Sequence, residues 1–233
     1  SPDRARKAML RDSRELRQEA YKWLFAANHQ GAQNTRISIM LEEEAFSRLH
    51  AAWKRLGYPF ESLVSSYATA IGSSADRPGA LADLMGVIVN DGLRFPTARV
   101  TRLHFAAGTP YEAKVALDES EPGERVMAPE IAQTVRRHLM DIVENGTARR
   151  VKGAFVAADG TPLPIGGKTG TGDHRFERFG PGGVVLESRV VNRTATFVFY
   201  IGDRHFGVIT AHVHGPEAAN YKFTSALPAQ LLK

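Results

Sequence analysis

The chain has 233 residues, of which 43% are hydrophobic and 24% are charged. This composition is typical of a globular protein with one buried core, and it excludes a low-complexity chain. The sequence has no apolar run as long as a membrane span and no cysteine, so it excludes disulfides, thiolate metal sites and a cysteine nucleophile. The formal net charge of +5 favours a negatively charged partner, such as a nucleic acid, an anionic lipid or an anionic polymer.

The first predicted helix covers about 12–28, where five apolar residues recur at steps of three and four: Leu16, Ala20, Trp23, Leu24 and Ala27. This spacing places Trp23 in the core. Gly31 and Asn34 are typical of a turn that ends the helix. A second amphipathic helix is predicted over about 37–56, with Gly57 as its C-terminal cap.

Two further helices are predicted downstream. One covers 79–89, with Pro78 in its first turn and Ser74 or Asp76 as its cap. The other begins at 128–130 and ends at 144–146, with a buried stripe formed by Ile131, Val135, Leu139, Ile142 and Val143. Between them we expect short strands at 100–106 and 114–117, and a loop in the acidic tract 118–124.

A glycine-rich stretch, Ile-Gly-Gly-Lys-Thr-Gly-Thr-Gly-Asp, occupies residues 165–173. Ordering so many glycines costs conformational entropy, so this composition indicates a backbone that closely approaches another group. The ammonium of Lys168 and the hydroxyls of Thr169 and Thr171 favour an anion as the bound group. The alternative is a glycine-rich hairpin loop that contains an incidental lysine.

The end of the chain is predicted to form strands. Residues 193–201 and 206–213 are rich in β-branched and aromatic side chains, with a turn at 202–204 between them. A glycine-bearing loop is expected at 179–183 and a helix within 216–232. This order predicts an α+β fold with an antiparallel sheet, in a single domain over 1–233 whose helical part covers about 12–150 and whose sheet and terminal helix cover about 163–233.

The residues around Lys168 do not form a phosphate-binding loop. A Walker A loop needs a glycine five residues before Gly167, and that position is Pro162. Lys-Thr-Gly is also used in acyl transfer by an active-site serine, where it lies on a strand that borders the cleft.

Lys168-Thr169-Gly170-Thr171, two downstream strands and the stretch Val-Glu-Asn-Gly-Thr-Ala at 143–148 together resemble the transpeptidase domain of penicillin-binding proteins. The resemblance is greatest to the bifunctional class, which also carries a glycosyltransferase domain, and it runs from about 34 to 214. It implies a β-lactamase/transpeptidase-like fold at the periplasmic face of the inner membrane. It implies no cofactor and no metal.

The resemblance also implies roles for individual residues. Lys168 and Asn34 are the expected catalytic residues: Lys168 would supply positive potential and a proton path, and Asn34 would hold the substrate amide. The expected substrate-binding set, which would hold the substrate carboxylate and let the substrate strand dock, is Thr169, Gly170, Thr171, Gly172 and Asp173.

The implied partners are peptidoglycan stem peptides, β-lactams and proteins of cell-wall synthesis. Nucleic acid is not among them, because the basic charge is accompanied by no recognition motif. Any membrane tether is expected in another part of the protein. His212 and His214 would share a strand face, but no third ligand stands at a convincing spacing, so we interpret them as surface histidines.

The sequence departs from the family at two motifs. No serine has a lysine three residues after it, so the Ser-x-x-Lys nucleophile motif is absent, and Ala32-Gln33-Asn34 stands where Ser-x-Asn is expected. In one hypothesis the nucleophile lies upstream, and the chain is the incomplete C-terminal portion of a D,D-transpeptidase that cross-links stem peptides through a serine acyl-enzyme. In the other, the chain is a non-catalytic module that binds peptidoglycan or a cell-wall partner.

Overall fold

The computed structural model of the protein describes residues 2–26, 29–116 and 122–233. The chain divides into two compact units. The first comprises Ser1–Ala52 and Ser62–Ser74, and the second comprises Trp53–Glu61 and Ala75–Lys233. Helices α1 to α5 precede a three-stranded antiparallel sheet and a terminal helix α6, as the α+β prediction required. A helix long and apolar enough to cross a bilayer is not found among the described residues.

The first unit is helical. It contains α1 (Pro2–Asp12), α2 (Arg14–Leu24), most of α3 (Gln30–Arg55) and a 3-10 helix at Tyr67–Ile71. The single helix predicted at 12–28 is therefore two helices, and residues 27 and 28 lie outside the described residues. The prediction of Trp23 as a core residue is wrong, because its side chain is 40% exposed and the stripe residue Leu16 is 71% exposed.

The turn predicted at Gly31 and Asn34 is also wrong, because α3 begins at Gln30 and runs through both residues. Gln33 explains the difference. Its side chain is buried, and its amide donates hydrogen bonds to the backbone oxygens of Trp23 at 2.5 Å and Ala26 at 2.8 Å. Carbonyls at the end of a helix need such partners. A residue inside α3 thus caps the preceding segment.

In the second unit, α4 (Pro78–Val89) and α5 (Pro129–Asn145) each begin with proline in the first turn, as predicted. Neither predicted cap acts on α4, because the Asp76 carboxylate accepts from the N–H of Arg77 and the Ser74 hydroxyl accepts from that of Val64. The buried stripe of α5 contains Ala132 in place of the predicted Ile131, which is 56% exposed. The rest of the stripe is confirmed: Val135 and Ile142 pack against the core residues Leu139 and Val143.

Short strands fill the segment between these two helices. β1 (Leu93–Arg94) pairs with β4 (Glu124–Arg125), and β2 (Arg102–Phe105) pairs with β3 (Ala113–Ala116), all antiparallel. β2 and β3 confirm the predicted strands. Of the acidic tract expected to be a loop, residues 118–121 lie outside the described residues and residue 124 belongs to β4.

Glu112 organises the hairpin of β2 and β3. Its carboxylate lies 2.8 Å from Nζ of Lys114 and 2.9 Å from Nε2 of His104, and it accepts the N–H of Gly108 at 2.9 Å. These three contacts lower the pKa of Glu112 from 4.5 to about 2. Lys114 has the largest effect, followed by the Gly108 N–H and then His104.

We expect this hairpin to lose order as the pH falls. A carboxyl whose pKa is lower in the folded state stabilises it fully above the unfolded value, and this contribution disappears as the pH falls through the folded value. The loss therefore falls between about pH 4.5 and about pH 2. Amide hydrogen exchange at 102–116 measures it, with Glu112→Gln as the control. An identical pH profile in that variant would show that Glu112 contributes nothing.

The main sheet has the strand order β5-β6-β7, with β5 at Ile165–Phe179, β6 at Val185–Ile201 and β7 at His205–His214. β6 begins eight residues before the predicted 193, because cross-strand contacts extend the hairpin beyond β7. These contacts include the Arg189 guanidinium over the ring of Phe176 at 4.8 Å and the Arg178–Glu187 ion pair at 3.5 Å. α6 covers Ala226–Leu232.

Both faces of the sheet are packed. Directly opposite residues of antiparallel strands project to the same face, so Ile165 and Ile201 share one face and Gly166 and Tyr200 share the other. The first face packs with Val143, Val151 and Ala229 around the fully buried Phe197. The second face packs through Tyr200 against the buried residues Met85, Ile88, Val89 and Leu139.

Tyr200 joins this second face to α5. Its hydroxyl donates to the backbone oxygen of Arg136 at 3.1 Å, and the Arg136 guanidinium lies over its ring at 5.0 Å. The pKa of Tyr200 is raised, mainly by burial, so the phenol remains a neutral hydrogen-bond donor. These contacts fix the position of β6 relative to α5.

Candidate active site

The residues Lys168-Thr169-Gly170-Thr171 lie near the start of β5, at the edge of the sheet. Because strand side chains alternate, Lys168 projects on the face of its opposite residue Val198. Thr169 and Thr171 project on the other face, opposite Phe197 and Ala195. The described strands leave the outer edge of β5 without a partner strand, and such an edge can pair with an added peptide strand.

The glycines of this stretch fall into two pairs. A Cβ at Gly166 would lie 2.4 Å from the ring of Tyr200, and one at Gly167 would lie 2.5 Å from the backbone oxygen of Val198. By contrast, a Cβ at Gly170 or Gly172 would have no neighbour within 4 Å among the described residues. The first pair is needed for internal packing, whereas the second pair leaves the outer part of the strand uncovered.

Lys168 presents a positive charge at this edge. Its side chain is exposed, and its Nζ donates to the backbone oxygen of Thr169 at 2.6 Å. Within the described ranges, it forms no ion pair with a carboxylate. The ammonium is therefore available to an anionic group outside the chain.

Thr169 is held by Thr147, which is not among the predicted site residues. Its side chain is buried, and its Oγ1 lies 2.5 Å from Oγ1 of Thr147. Thr147 follows the end of α5, where the N–H groups of Gly146 and Ala148 both donate to the backbone oxygen of Ile142. The resemblance at 143–148 was the signal for this segment, but a contact across 22 positions cannot be read from it.

Thr171 and Asp173 also have internal partners. Oγ1 of Thr171 accepts the N–H of Ser225 at 2.8 Å. The Asp173 carboxylate lies 2.8 Å from Nη1 of Arg193, whose Nε donates to the backbone oxygen of Phe223. These bonds tie the end of the Lys-Thr-Gly-Thr stretch to the segment before α6, and the predicted substrate contact of Asp173 remains a prediction.

The second predicted catalytic residue, Asn34, belongs to the first unit, whereas Lys168 belongs to the second. Asn34 lies in the second turn of α3 and is exposed, and so is Ala32. The expected turn around Ala32-Gln33-Asn34 is thus replaced by helix. The action of Asn34 on a substrate amide remains a prediction.

The histidines of β7 have ordinary surface contacts. The rings of His212 and His214 stack with centroids 6.3 Å apart, and Nδ1 of His212 lies 2.8 Å from Oγ1 of Thr194. Throughout 2–26, 29–116 and 122–233, no group of three or more His, Asp or Glu residues is arranged to hold a metal ion.

An apolar cavity of about 380 Å³ also lies in the second unit. Its lining comes from residues 53–58, 76–88, 127 and 135, and includes Trp53, Tyr58 and Met127. Asp76 supplies a carboxyl group, whose pKa is raised by burial. None of these lining residues comes from 165–173, so the cavity and the Lys168 edge are separate features.

Comparison with known families identifies the domain. The family model described as the penicillin binding protein transpeptidase domain matches residues 8–184, which is more than half of the chain and includes both Thr147 and Lys168-Thr169-Gly170-Thr171. The chain belongs to this transpeptidase family. A search of curated proteins found no match.

Solved structures with which the transpeptidase domain aligns include penicillin-binding protein 3 of Mycobacterium tuberculosis in complex with aztreonam. That structure is 20% identical, with a TM-score of 0.48, and the alignment covers 78% of this chain and 44% of the other. The ceftriaxone acyl-enzyme of penicillin-binding protein A from the same organism is 20% identical over 74% of this chain and 35% of the other, with a TM-score of 0.48. The transpeptidase domain of Burkholderia pseudomallei penicillin-binding protein 3 is 22% identical over 62% and 35%, with a TM-score of 0.34. The chain spans less than half the length of each of these structures.

Proposed function

We propose that this transpeptidase domain is part of a serine D,D-transpeptidase that cross-links peptidoglycan stem peptides, with a nucleophilic serine outside these 233 residues. The serine would attack a peptide carbonyl of one stem peptide, expel its terminal residue as an amine and transfer the acyl group to the amine of a second stem peptide. The observation that carries the proposal is the edge of β5, which no described strand covers. There Lys168, whose ammonium pairs with no carboxylate among the described residues, precedes the open Gly170 by two residues.

Each feature of this edge supports a step of the reaction. An extended stem peptide would pair with the backbone of β5, and the open space at Gly170 would allow its backbone to approach closely. Lys168 would attract the substrate carboxylate and stabilise negative charge that develops during acyl transfer. The expected contact of Asn34 with the substrate amide belongs to the same proposal, and it rests on the sequence motif and not on this edge.

The setting of the protein belongs to the same proposal. We expect the domain to act in the periplasm, on the extracytoplasmic face of the inner membrane, in a protein tethered through another of its parts. A linked glycosyltransferase domain and proteins of cell-wall synthesis are the expected partners. β-Lactams would acylate the same serine.

A non-catalytic function on the same fold is the second candidate. It is favoured by the absence of Ser-x-x-Lys and by Ala32, which has a methyl group where a relay hydroxyl is expected. Such a module would bind stem peptides or a cell-wall protein at the edge of β5 without becoming acylated.

A fluorescent penicillin distinguishes the two functions. We expect the full-length protein to acquire a covalent label that survives denaturation and is prevented by preincubation with unlabelled benzylpenicillin. The 233-residue chain, which lacks Ser-x-x-Lys, is the matched control and should remain unlabelled. Stem-peptide binding by a full-length protein that takes no label would instead support the non-catalytic module.

A further inference from the structure

The apolar cavity of the second unit carries a further inference, which does not depend on the proposed function. We propose that this cavity is a binding site for a small organic ammonium compound, whose apolar body fills the cavity and whose charged nitrogen pairs with the carboxylate of Asp76. The site is separate from the edge of β5, because none of its lining residues comes from 165–173.

The size and the lining of the cavity suit a small apolar molecule. Its volume of about 380 Å³ falls within the range of small-molecule sites, and a dry apolar cavity of roughly 150 Å³ is already large enough to bind benzene. The end of α3 and the segment after it form part of the wall, and α4 and Val135 of α5 form the rest together with Met127. Among the described residues that line the cavity, Asp76 alone carries a charge.

The aromatic part of the wall is fixed before any ligand binds. The N–H groups of Leu56 and Tyr58 both donate to the backbone oxygen of Trp53 at 2.9 Å. The rings of Trp53 and Tyr58 meet edge to face with centroids 5.7 Å apart, and Tyr58 is buried. On α4, Ile88 is buried in the core that contains Tyr200. A wall that is already ordered loses little entropy when a ligand binds.

The backbone next to Met127 is fixed as well. The N–H groups of Val126 and Met127 both donate to the backbone oxygen of Gly92, at 3.0 and 3.2 Å. Gly92 has a φ of +88°, and a Cβ at this position would collide with the backbone oxygen of Met127. The close approach therefore requires glycine. It holds Met127 at the cavity, where this residue also packs against the core that contains Tyr200.

Asp76 determines which charge the ligand should carry. Its carboxylate accepts the N–H of Arg77 at 2.7 Å, and among the described residues it takes part in no ion pair. The guanidinium of Arg77 lies instead over the ring of Phe60, 5.2 Å from its centroid. Burial raises the pKa of Asp76, so its one backbone hydrogen bond does not offset the water that the carboxylate has lost. A bound cation would offset that loss, whereas an anion would be repelled.

The aromatic rings favour the same charge. The face of an aromatic ring attracts a cation that lies within about 6 Å of its centroid. Trp53 and Tyr58 line the same cavity as Asp76, so an ammonium group inside it would be attracted by ring faces as well as by the carboxylate. Asp76 is also exposed, which places it where a charged group can keep part of its water. The cavity therefore favours a cation with an apolar body over a neutral or anionic molecule.

Calorimetric titration of the full-length protein tests the site with naphthylmethylamine, naphthylmethanol and naphthoate, all substituted at the same ring position. These compounds share their ring system and differ in charge. We expect the amine to bind about tenfold more tightly than the alcohol, because a hydrogen bond between charged groups is stronger than one to a neutral donor. Naphthoate should bind more weakly than the alcohol. Equal affinities of the amine and the alcohol would overturn the inference.

Asp76→Asn tests the carboxylate itself. In this variant the affinity for the amine should fall to within about twofold of that for the alcohol, while the affinity for the alcohol should change by less than about twofold. Asp83→Asn is the matched control, because Asp83 is an exposed carboxylate of α4 that does not line the cavity. It should bind all three compounds as the wild type does. Unchanged binding of the amine by Asp76→Asn, or an equal loss of amine and alcohol, contradicts the role of Asp76.

Ala80→Trp tests the location. Ala80 lines the cavity, so the larger side chain should fill it and abolish binding of the amine and the alcohol, while thermal unfolding shows whether the variant is folded. Wild-type affinity in a folded Ala80→Trp protein would place the compounds elsewhere and overturn the inference. If this variant does not fold, the comparison of Asp76→Asn with Asp83→Asn decides alone. None of these measurements involves acylation, so their outcome is independent of the proposed function.

Discussion

Replacement of Lys168 by alanine is expected to lower the rate of penicillin acylation of the full-length protein by about 10²- to 10³-fold. This is the effect of removing one preoriented group that stabilises developing negative charge. Lys168 is exposed and its Nζ bonds only to a backbone oxygen among the described residues, so its loss leaves no buried carboxylate unpaired. The fold should therefore be retained, and the measurement is the second-order rate constant for a fluorescent penicillin.

Lys152→Ala is the matched control for this experiment. Lys152 is also an exposed lysine of the second unit, but its Nζ pairs with Glu144 on the surface. Exposed ion pairs contribute about 0–1 kcal/mol, so acylation should change by less than about threefold in this variant. If Lys168→Ala and Lys152→Ala are acylated equally fast, Lys168 has no role in the reaction.

Alanine at Gly166 and alanine at Gly170 are expected to have opposite consequences. Gly166→Ala places a methyl group 2.4 Å from the ring of the fully buried Tyr200, and we expect it to lower the free energy of unfolding by about 3 kcal/mol. Gly170→Ala meets no atom within 4 Å in the described part of the chain, so stability should change by less than about 1 kcal/mol. The added methyl group lies where a docked peptide backbone would run, however, and acylation should slow by about tenfold or more.

Urea unfolding and the acylation constant, measured on both full-length variants, separate these effects. Gly172→Ala tests how far the docked peptide extends along β5, because its position is also open and Gly172 belongs to the expected substrate-binding set. Acylation of Gly170→Ala at the wild-type rate would argue against docking of a peptide on this part of β5. A stable Gly166→Ala protein would argue against the packing of Tyr200 described above.

Features with a strong local cause could be predicted from the sequence. β-Branched and aromatic residues predicted β7 and the second half of β6, and Pro129 and Gly146 marked the two ends of α5. These features depend on propensities that act over a few residues. The placement of the Lys168 stretch on a strand came instead from the family resemblance, because glycine-rich composition alone also fits a hairpin loop.

Features that depend on distant contacts could not be predicted. Gly31 and Asn34 are local turn signals, yet the amide of Gln33 satisfies the carbonyls of Trp23 and Ala26 and stabilises a helix instead. The stripe containing Trp23 has helical periodicity, but periodicity cannot show whether another element covers it. Likewise, the partner of Thr169 lies 22 residues away, and only the fold brings the two hydroxyls together.

The division between packed and open glycines has a consequence for how this domain can diverge. Gly166 and Gly167 are required by the sheet itself, so they should persist in any descendant that keeps the architecture, whether or not it still reacts. Among the described residues Gly170 meets no such internal requirement, and under the proposed function its retention depends on a peptide that docks on the strand. In a series of related sequences, the first appearance of a side chain at position 170 would therefore mark the loss of substrate binding more closely than any change at Gly166 or Gly167.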